Sequence, residues 1–223
     1  MELYDIHTHQ IPSEKIDNLN RSYILDVEPL GFEAAKENYR ENMFSCGIHP
    51  WYSNDSESRF PHLSKIASDP KIVAIGETGL DKIKGPSLDI QIPVFKDHIA
   101  ISEEFKKPLV IHVVKAWQEL YHIRKELNPS QPWIIHGFRG NPHITQQMAK
   151  AGFMFSIGKR FNPDSLKYIP NESFFLETDE EEIDIKEVYE QVACAMDWDI
   201  KDLAAWVEKN VRKVFPEIVK TRL

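Results

Sequence analysis

The chain has 223 residues, of which 42% are hydrophobic and 28% are charged. No apolar run approaches the roughly 18 residues of a membrane helix, so we expect no membrane function. The first residues, MELYDIHTHQ, lack the basic and apolar regions of a signal peptide, which predicts a cytoplasmic protein. The formal net charge of -8 disfavours a protein that coats duplex DNA, because such binding needs a basic face, but it leaves room for a local basic site.

Two further features of composition bear on organisation. The two cysteines, Cys46 and Cys194, lack the spacing of a zinc ribbon, and we expect both to be reduced core residues. The chain shows no internal repeat, low-complexity tract or Ser/Gly linker, which predicts a single domain over residues 1–223.

Short runs rich in β-branched and aromatic residues alternate with helical stretches along the chain. The predicted strands are 3–7, 22–27, 43–48, 72–77, 109–112, 133–136, 153–157 and 174–178. The predicted helices are 31–42, 61–69, 87–107, 115–127, 141–151 and the segment from residue 184 onward, whereas 10–21 and 162–170 are expected to be loops, the second with a helical turn. Eight strands in such an alternation favour a TIM-type (β/α)8 barrel, or a slightly trimmed form of it.

Six metal-type side chains stand at, or just after, the ends of five of the predicted strands. They are His7, His9, Glu77, His112, His136 and Asp179. In a barrel of parallel strands all the carboxyl ends lie on one face, so we expect these residues to share one site. His7 and His9 are two residues apart, and the alternation of a strand sends both side chains to the same side. The pattern predicts a metal-assisted hydrolase.

Each residue of this set also has a simpler interpretation. A single buried histidine is as often a core residue as a ligand, and the acidic run ETDEEE around Asp179 could be a solvated loop. Six such residues together favour metal, and their number suits two ions that share a carboxylate. Zn, Mn, Fe, Co and Ni suit imidazole-rich ligation, and Mg stays possible. Asp179 can act both as ligand and as acceptor of the water proton.

The motifs, taken in order, resemble those of the TatD-like metal-dependent hydrolases, a deoxyribonuclease-type branch of the amidohydrolase superfamily. YDIHTH is similar to the D-x-H-x-H opening of that family, GIHPW to its G-x-H-P segment and AIGETGLD to its most specific signature. KPLVIH, IIHGFRG, FFLETD and NVRKVF resemble the later motifs. The resemblance covers the chain from Asp5 to Phe215.

The resemblance implies a TIM-like barrel that binds one or two divalent ions and hydrolyses phosphodiesters, often in DNA. It implies that His7, His9 and Asp179 bind one ion, that Glu77 bridges, and that His112 and His136 bind the second. His49, in GIHPW, would lie near the substrate, although a structural histidine before a proline is an equal alternative.

The departures from the family pattern lie on the substrate side. Val114 stands where an arginine is common, Arg139 follows His136 where small polar residues are usual, and Glu180 stands where a proline is usual. The identity of the substrate therefore does not follow from the resemblance.

Positive residues that follow the strands could bind the substrate in place of the family residues that are missing. Arg139, Lys159 and Arg160 are predicted to bind a phosphate or carboxylate of the substrate, with ordinary solvated charges as the alternative. Trp51 could stack a base or pack in the core.

The leading hypothesis is a metal-dependent phosphodiesterase or nuclease that acts on a small phosphodiester or a nucleic-acid end. One alternative is hydrolysis of a C–N or ester bond by the same metal chemistry. Another is a metal-stabilised scaffold without activity, although closed structural sites need only four ligands. The sequence predicts no protein partner.

Overall fold

The structure of the protein, a computed structural model, describes residues 1–11 and 19–220. The strands are β1 (Glu2–Thr8), β2 (Asn20–Val27), β3 (Met43–Cys46), β4 (Ile72–Asp81), β5 (Leu109–Val114), β6 (Trp133–Ile135), β7 (Met154–Ile157) and β8 (Phe174–Leu176). All eight lie where the sequence predicts a strand. The loop predicted between Gln10 and Arg21 lies largely outside the described residues.

Helices follow most of the strands. They are α1 (Phe32–Asn38), α2 (Ser56–Ile66), α3 (Leu88–Phe105), α4 (Trp117–Leu127), α5 (Pro142–Lys150), α6 (Pro163–Leu166), α7 (Ile185–Met196), α8 (Ile200–Val214) and α9 (Pro216–Lys220), with short 3₁₀ segments at Pro50–Asp55 and Asn171–Ser173. The short α6 is the helical turn predicted between residues 162 and 170.

The strands form one eight-stranded sheet in which they are ordered β1 to β8 along the chain. The pairs β1–β2, β3–β4, β4–β5, β5–β6 and β7–β8 are parallel. Thr8, at the end of β1, also forms a parallel bridge with Asp179, which follows β8. Parallel strands in chain order, alternating with helices and with the first strand beside the last, are the arrangement of a (β/α)8 barrel. The predicted fold class is confirmed.

The chain falls into two compact units. The terminal unit comprises Met1–Leu25 with His136–Leu223, and the central unit comprises Asp26–Ile135. That the chain is one domain stays a prediction from its sequence.

Hydrogen bonds tie the first strands of the terminal unit to its helix α7. The hydroxyl of the fully buried Tyr189 accepts from the Tyr4 amide at 3.0 Å and donates to the Tyr4 carbonyl at 3.1 Å. The Arg21 guanidinium donates twice to Asp184, at 2.8 and 2.7 Å, and its side chain is almost fully buried. Asp184 also caps α7 by accepting from the Lys186 amide. These contacts fix β1 and β2 against one helix.

Aromatic side chains fill the core of the central unit. Phe32 and Phe44 meet edge to face with their ring centroids 5.6 Å apart, and Phe95 and Trp133 do so at 5.4 Å. All four are fully buried. Such pairs stabilise a core beyond the apolar area they bury, by about 1 kcal/mol each.

Strand β4 is longer than its sequence suggests. The prediction ended it at Glu77, whereas the strand continues to Asp81 and pairs with β5 along Thr78–Asp81. Gly79 permits this continuation, because a Cβ there would lie 2.0 Å from the His112 carbonyl oxygen and its φ of +148° is one that other residues rarely adopt. Gly79 therefore allows the two strands to approach closely.

Two helix ends show where local sequence rules succeed and fail. Asn141 precedes Pro142 and caps α5, with its side chain accepting from the Ile144 amide, and Gly152 follows the helix with φ +82°, as local rules favour. Helix α2 instead begins at Ser56, so Pro61 lies inside it and not at its start. Pro61 cannot donate to the carbonyl of Glu57, which is exposed and can bind water there.

Two expectations from composition can be compared with the structure. Both cysteines are free thiols, as expected, and Cys46 is buried; Cys194 is exposed, so the expectation that it lies in the core is wrong. Burial raises the pKa of the Cys46 thiol well above its usual value, which makes it unreactive. Within residues 1–11 and 19–220, no helix is both long and apolar enough to cross a membrane.

The first prediction concerns His98, which is fully buried on α3. Its Nε2 accepts from the Ile48 amide at 2.9 Å and its Nδ1 lies 2.7 Å from the Val94 carbonyl. Burial lowers its pKa from 6.5 to about 4. The unfolded chain therefore takes up this proton first on acidification, so His98 contributes stability above pH 6.5 that is lost as the pH falls towards 4.

Urea unfolding of the wild type and of His98→Gln at several pH values between 7 and 4.5 measures this contribution. The stability advantage of the wild type should shrink below pH 6.5 by up to about 1.4 kcal/mol per pH unit. The matched control is His62→Gln, which changes an exposed histidine of α2. A constant difference between wild type and His98→Gln across this range would contradict the prediction.

Candidate metal centre

The terminal unit brings together the two histidines of β1 and the carboxylate of Asp179. Oδ1 of Asp179 lies 3.8 Å from His7 Nε2 and 3.6 Å from His9 Nε2. The His7 side chain is fully buried, whereas about a third of His9 and a quarter of Asp179 are exposed. One ligand atom from each of the three lies within 4.8 Å of the others, which is close enough to share an ion.

Asp179 is positioned by its backbone and not by a strand. The predicted strand 174–178 directly precedes this residue, but β8 ends at Leu176. The Asp179 amide donates to the His7 carbonyl at 3.0 Å, and the His9 amide donates to the Asp179 carbonyl at 3.1 Å. Its φ of +58° is left-handed, a conformation that aspartate tolerates better than most residues. These two bonds hold its carboxylate beside the histidines.

His136 lies in the same unit beside a buried acid, Glu177. The distance from His136 Nδ1 to Glu177 Oε1 is 3.5 Å, and the His136 and His7 rings are 4.4 Å apart. Glu177 is fully buried and also accepts a hydrogen bond from the Gly137 amide. Burial acts to raise the pKa of Glu177, but its interaction with His136 outweighs burial and lowers the pKa. His136, Glu177 and Asp179 form a second group of possible ligands.

The central unit contains a third group around Glu77. Oε1 of this buried residue lies 2.9 Å from His112 Nδ1 and 3.1 Å from His49 Nε2. The rings of the two histidines are 4.5 Å apart. The structure thus places His49 as near to Glu77 as His112 is, although the sequence predicts a substrate-side role for it.

The backbone of Glu77 is anchored by Asp26, at the end of β2. Oδ1 of Asp26 accepts from the Glu77 amide at 2.8 Å and from the Ser45 hydroxyl at 2.8 Å. These bonds connect β2, β3 and β4 at their carboxyl ends. Asp26 therefore restricts where the Glu77 side chain can lie.

Asp81 holds the other side of the His112 ring. Its Oδ2 lies 3.1 Å from His112 Nε2 and accepts from the Trp51 indole at 2.7 Å, while its Oδ1 accepts from the amides of Ile83 and Lys84. Burial acts to raise the pKa of Asp81, but these hydrogen bonds outweigh it and lower the pKa. A charged, fixed carboxylate therefore stands behind His112.

The donor chemistry of these groups fits divalent metal ions. Each group combines imidazole nitrogen with carboxylate oxygen, the combination that Zn and the neighbouring transition metals prefer. Without a cation, histidines and carboxylates buried at such density would be costly. The groups therefore support the prediction that the protein binds metal.

Comparison with known proteins identifies the family. The profile described as TatD related DNase matches residues 30–216, which is most of the chain. The chain belongs to this family.

Relatives of known sequence include several metal-dependent hydrolases. An uncharacterized metal-dependent hydrolase of Buchnera aphidicola is 32% identical over 149 residues, which cover 63% of this chain and 56% of the relative. YabD of Bacillus subtilis, named in the same way, is 26% identical over 242 residues and covers 96% of this chain and 94% of its own. The match to the Buchnera relative thus spans little more than half of its length.

Solved structures of TatD proteins share the fold. The Escherichia coli TatD homolog YJJV superposes with a TM-score of 0.81 at 18% identity, over 96% of this chain and 98% of its own. A TatD family hydrolase from Entamoeba histolytica gives 0.77 at 15% identity, over 96% and 97%. These matches confirm the TIM-type barrel, and the family supports the prediction of a metal-dependent hydrolase.

The positive residues predicted to bind substrate in this TatD-family chain lie in the terminal unit. Arg139 and Lys159 are exposed, and neither forms an ion pair within the described part of the chain. Arg160 is two-thirds exposed and pairs with Glu181. Arg139 and Lys159 are thus available to an anionic ligand. Arg160 can bind such a ligand only after its ion pair with Glu181 breaks.

Trp51 is packed and hydrogen-bonded in the central unit, which does not favour its predicted stacking role. Its indole N–H donates to Asp81, and the Lys84 ammonium lies 3.2 Å from its ring centroid. The rings of His49 and His112 meet it at 4.4 and 5.9 Å. A base could stack on the indole face that Lys84 occupies only after Lys84 had moved.

Four acids that contact the predicted ligands or their backbone escaped the sequence reasoning. They are Asp5, Asp26, Asp81 and Glu177. Asp5, Asp81 and Glu177 stand inside the recognised motifs YDIHTH, AIGETGLD and FFLETD, which is the signal that could have identified them. Asp26 is the last residue but one of a predicted strand and carries no further signal.

The second prediction concerns the fully buried carboxyl group of Asp5. Its Oδ2 accepts from the Thr178 hydroxyl at 2.7 Å, and its Oδ1 accepts from the Thr178 amide at 3.2 Å. Burial raises its pKa to about 7, although these bonds oppose the rise. Thr178→Val removes the hydroxyl donor at nearly constant volume and should destabilise the protein by about 1–3 kcal/mol.

Urea unfolding at pH 7.5 measures this loss. Thr145→Val is the matched control, because Thr145 is equally buried and its hydroxyl bonds only to the Asn141 carbonyl of its own helix. If Thr178→Val costs no more stability than the control, the buried Asp5 carboxyl does not depend on that hydroxyl.

Proposed function

We propose that this protein is a divalent-metal-dependent phosphodiesterase that cleaves a small phosphodiester or the end of a nucleic-acid chain. The observation that carries the proposal is the grouping of histidines and carboxylates after the β-strands, in a chain of the TatD-related DNase family. The same chemistry would serve amides and esters, so the substrate class is what the experiments must decide.

The proposed ligands of one or two ions are the six residues named from the sequence. They are His7, His9, Glu77, His112, His136 and Asp179. The mutual proximity of His7, His9 and Asp179 in one unit and of Glu77 and His112 in the other supports this set. His49 lies close enough to Glu77 to join it or to contact substrate. Zn, Mn, Fe, Co, Ni and Mg are the ions to test.

Bound divalent ions would lower the pKa of a water molecule and neutralise charge on the phosphate. The residues of the chain must then move protons and orient the reactants. Asp179 is the proposed general base, because its carboxylate is partly exposed to solvent and beside His7 and His9. As the water oxygen bonds to phosphorus, its proton passes to Asp179. The ester P–O bond breaks, and the departing alkoxide takes a proton from solvent.

Substrate binding is assigned to the positive residues after β6 and β7. Arg139 and Lys159 are exposed and could meet a phosphate in a protein whose net charge is -8. A few cations of this kind suit a chain end or a small substrate, whereas binding along a duplex needs a basic face. We therefore place a short anionic substrate at this site.

The third prediction tests the reaction. The protein, freed of metal and reloaded with each ion in turn, should hydrolyse bis-p-nitrophenyl phosphate and single-stranded DNA. Asp179→Asn should lower kcat by about 10²–10⁴-fold, since a general base contributes on that order. Glu182→Gln is the matched control, because it neutralises a nearby exposed acid and should leave kcat unchanged.

A panel of amide and ester substrates belongs in the same assay. Turnover of amides without turnover of any phosphodiester, whatever the ion, would overturn the proposal. If no substrate turns over and removal of metal only unfolds the protein, the metal has a structural role and the proposal is wrong.

The fourth prediction concerns the substrate-side cations. Replacing Arg139, Lys159 and Arg160 together by alanine should raise KM for single-stranded DNA by about tenfold, equivalent to roughly 1.4 kcal/mol of binding. The salt dependence of kcat/KM should also weaken, because fewer phosphate charges are neutralised.

The control removes the same three positive charges elsewhere, at the exposed Lys65, Lys125 and Lys213. This second triple variant separates local contacts from the overall change in charge. Equal effects of the two triple variants on KM and on its salt dependence would argue against a phosphate site at residues 139, 159 and 160.

A further inference from the structure

An exposed lysine of the loop after β4 covers one face of Trp51. The Lys84 ammonium lies 3.2 Å from the centroid of the Trp51 ring, and it has no carboxylate partner within the described part of the chain. Lys82, two residues earlier, instead pairs with Glu119 at 2.7 Å. Of the two lysines of this loop, Lys84 is thus the one whose charge no acid neutralises.

The covered ring stands beside the candidate ligands of the central unit. The centroid of the Trp51 ring is 4.4 Å from that of His49 and 5.9 Å from that of His112. Both histidines contact the buried Glu77. The Lys84 ammonium therefore lies one ring away from both histidines, on a long and flexible stem.

The backbone that carries Lys84 is held in place. Oδ1 of Asp81 accepts from the Ile83 and Lys84 amides at 2.7 and 2.9 Å. The fully buried Gln91 side chain donates to the carbonyls of Asp81 and Pro86 at 2.8 and 2.6 Å. Because these bonds fix the loop, the ammonium can leave the ring by rotation of the Lys84 side chain alone.

The same loop borders a cavity of limited size. Residues 81–88 line an open space of about 210 Å³. Pockets that enclose a whole small-molecule ligand usually exceed about 300 Å³. The space therefore suits one charged group of a ligand whose remainder lies outside. Because the amides of Ile83 and Lys84 already donate to Asp81, an anion there would bind to a side chain.

We propose that Lys84 and Trp51 form a nucleotide subsite. The Lys84 ammonium leaves the indole face and binds a phosphate of the substrate, and the base of the same nucleotide stacks on the face that Lys84 has left. The proposal rests on the proposed function, because it assumes a phosphodiester substrate, and it narrows that substrate to a nucleic acid.

The exchange follows from the charges involved. The indole face offers the ammonium the partial negative charge of its π-system, whereas a phosphate oxygen offers a full charge and a charge-assisted hydrogen bond. Every base has a π-face, so stacking on an indole is tolerant of sequence. The subsite should therefore hold a nucleotide without selecting one base.

The direct test is ¹H–¹³C NMR of wild-type protein labelled at lysine and tryptophan and incubated with Zn²⁺. Protons above an aromatic ring resonate upfield, so the ε-CH₂ signal of Lys84, assigned from its loss in Lys84→Met, should lie upfield in the unliganded protein. A thymidine dinucleotide with a phosphorothioate linkage, which resists hydrolysis, should move this signal back to the usual lysine position. Thymidine alone, which has no phosphate, should leave it in place.

A dinucleotide analogue without bases separates the two halves of the proposal. It should release Lys84 as the complete dinucleotide does, but it should not shift the ring signals of Trp51 and should bind about tenfold more weakly. If the Lys84 signal is unchanged when calorimetry shows that the dinucleotide is bound, or if no dinucleotide binds at millimolar concentration, the proposal is overturned. Release of Lys84 with identical Trp51 shifts for both compounds would leave a phosphate site and overturn the nucleotide subsite.

The kinetic test uses Lys84→Met, which keeps the length of the side chain and its apolar contact with the ring but removes the charge. KM for single-stranded DNA should rise by about tenfold with little change in kcat, because the lost contact binds substrate and transition state alike. The matched control is Lys65→Met, which removes an exposed lysine of α2 in the same unit and should leave KM unchanged.

The outcomes distinguish this proposal from the proposed function. If the wild type hydrolyses no phosphodiester but the dinucleotide releases Lys84 from Trp51, the proposed reaction fails and the subsite stands. If the wild type hydrolyses single-stranded DNA and Lys84→Met has the same KM as Lys65→Met, only the subsite is wrong.

Discussion

The burial of ionisable side chains at the ends of β-strands is the constraint on which the rest of this structure depends. A buried carboxylate is costly unless its oxygens accept hydrogen bonds. Asp5 meets this condition through the Thr178 hydroxyl and amide, Asp81 meets it through four donors, and Glu177 meets it at one oxygen through the Gly137 amide. The groups that hold these acids also determine how the neighbouring histidines point. The same contacts at the strand ends therefore stabilise the fold and orient the side chains of the site.

The architecture could be predicted from sequence because its signals are local and repeated. All eight strands carry runs of β-branched or aromatic residues, and the helix caps at Asn141 and Gly152 follow general rules. The errors arose where tertiary contacts override local preference. Strand β4 passes through Gly79, where the strand beside it approaches closely, and α2 continues through Pro61, where the carbonyl left unbonded belongs to an exposed residue, Glu57. Neither condition can be found in a short stretch of sequence.

The candidate ligands could also be predicted, since histidine and carboxylate after a strand are a simple pattern. The residues that hold these ligands in place were not predicted. Asp26 contacts the Glu77 amide across 51 residues of sequence, and Asp81 contacts His112 across 31. Neither contact can be predicted from a short sequence spacing. For Trp51 the sequence left base stacking and packing as alternatives, and it carries no signal for the hydrogen bond from the indole N–H to Asp81 or for the Lys84 ammonium over the ring. Contacts of this kind depend on the relative placement of strands.

The close approach of β4 and β5 at Gly79 has a further consequence for engineering. A side chain there would meet the backbone of a predicted ligand, His112, and not a movable side chain, so the clash cannot be relieved by repacking. Exposed residues on the loops after the strands can be exchanged to alter which substrates enter, because little is packed against them. Gly79, in contrast, cannot be replaced without a clash with the backbone of His112. A library designed for new specificity should keep this glycine fixed and vary the loops.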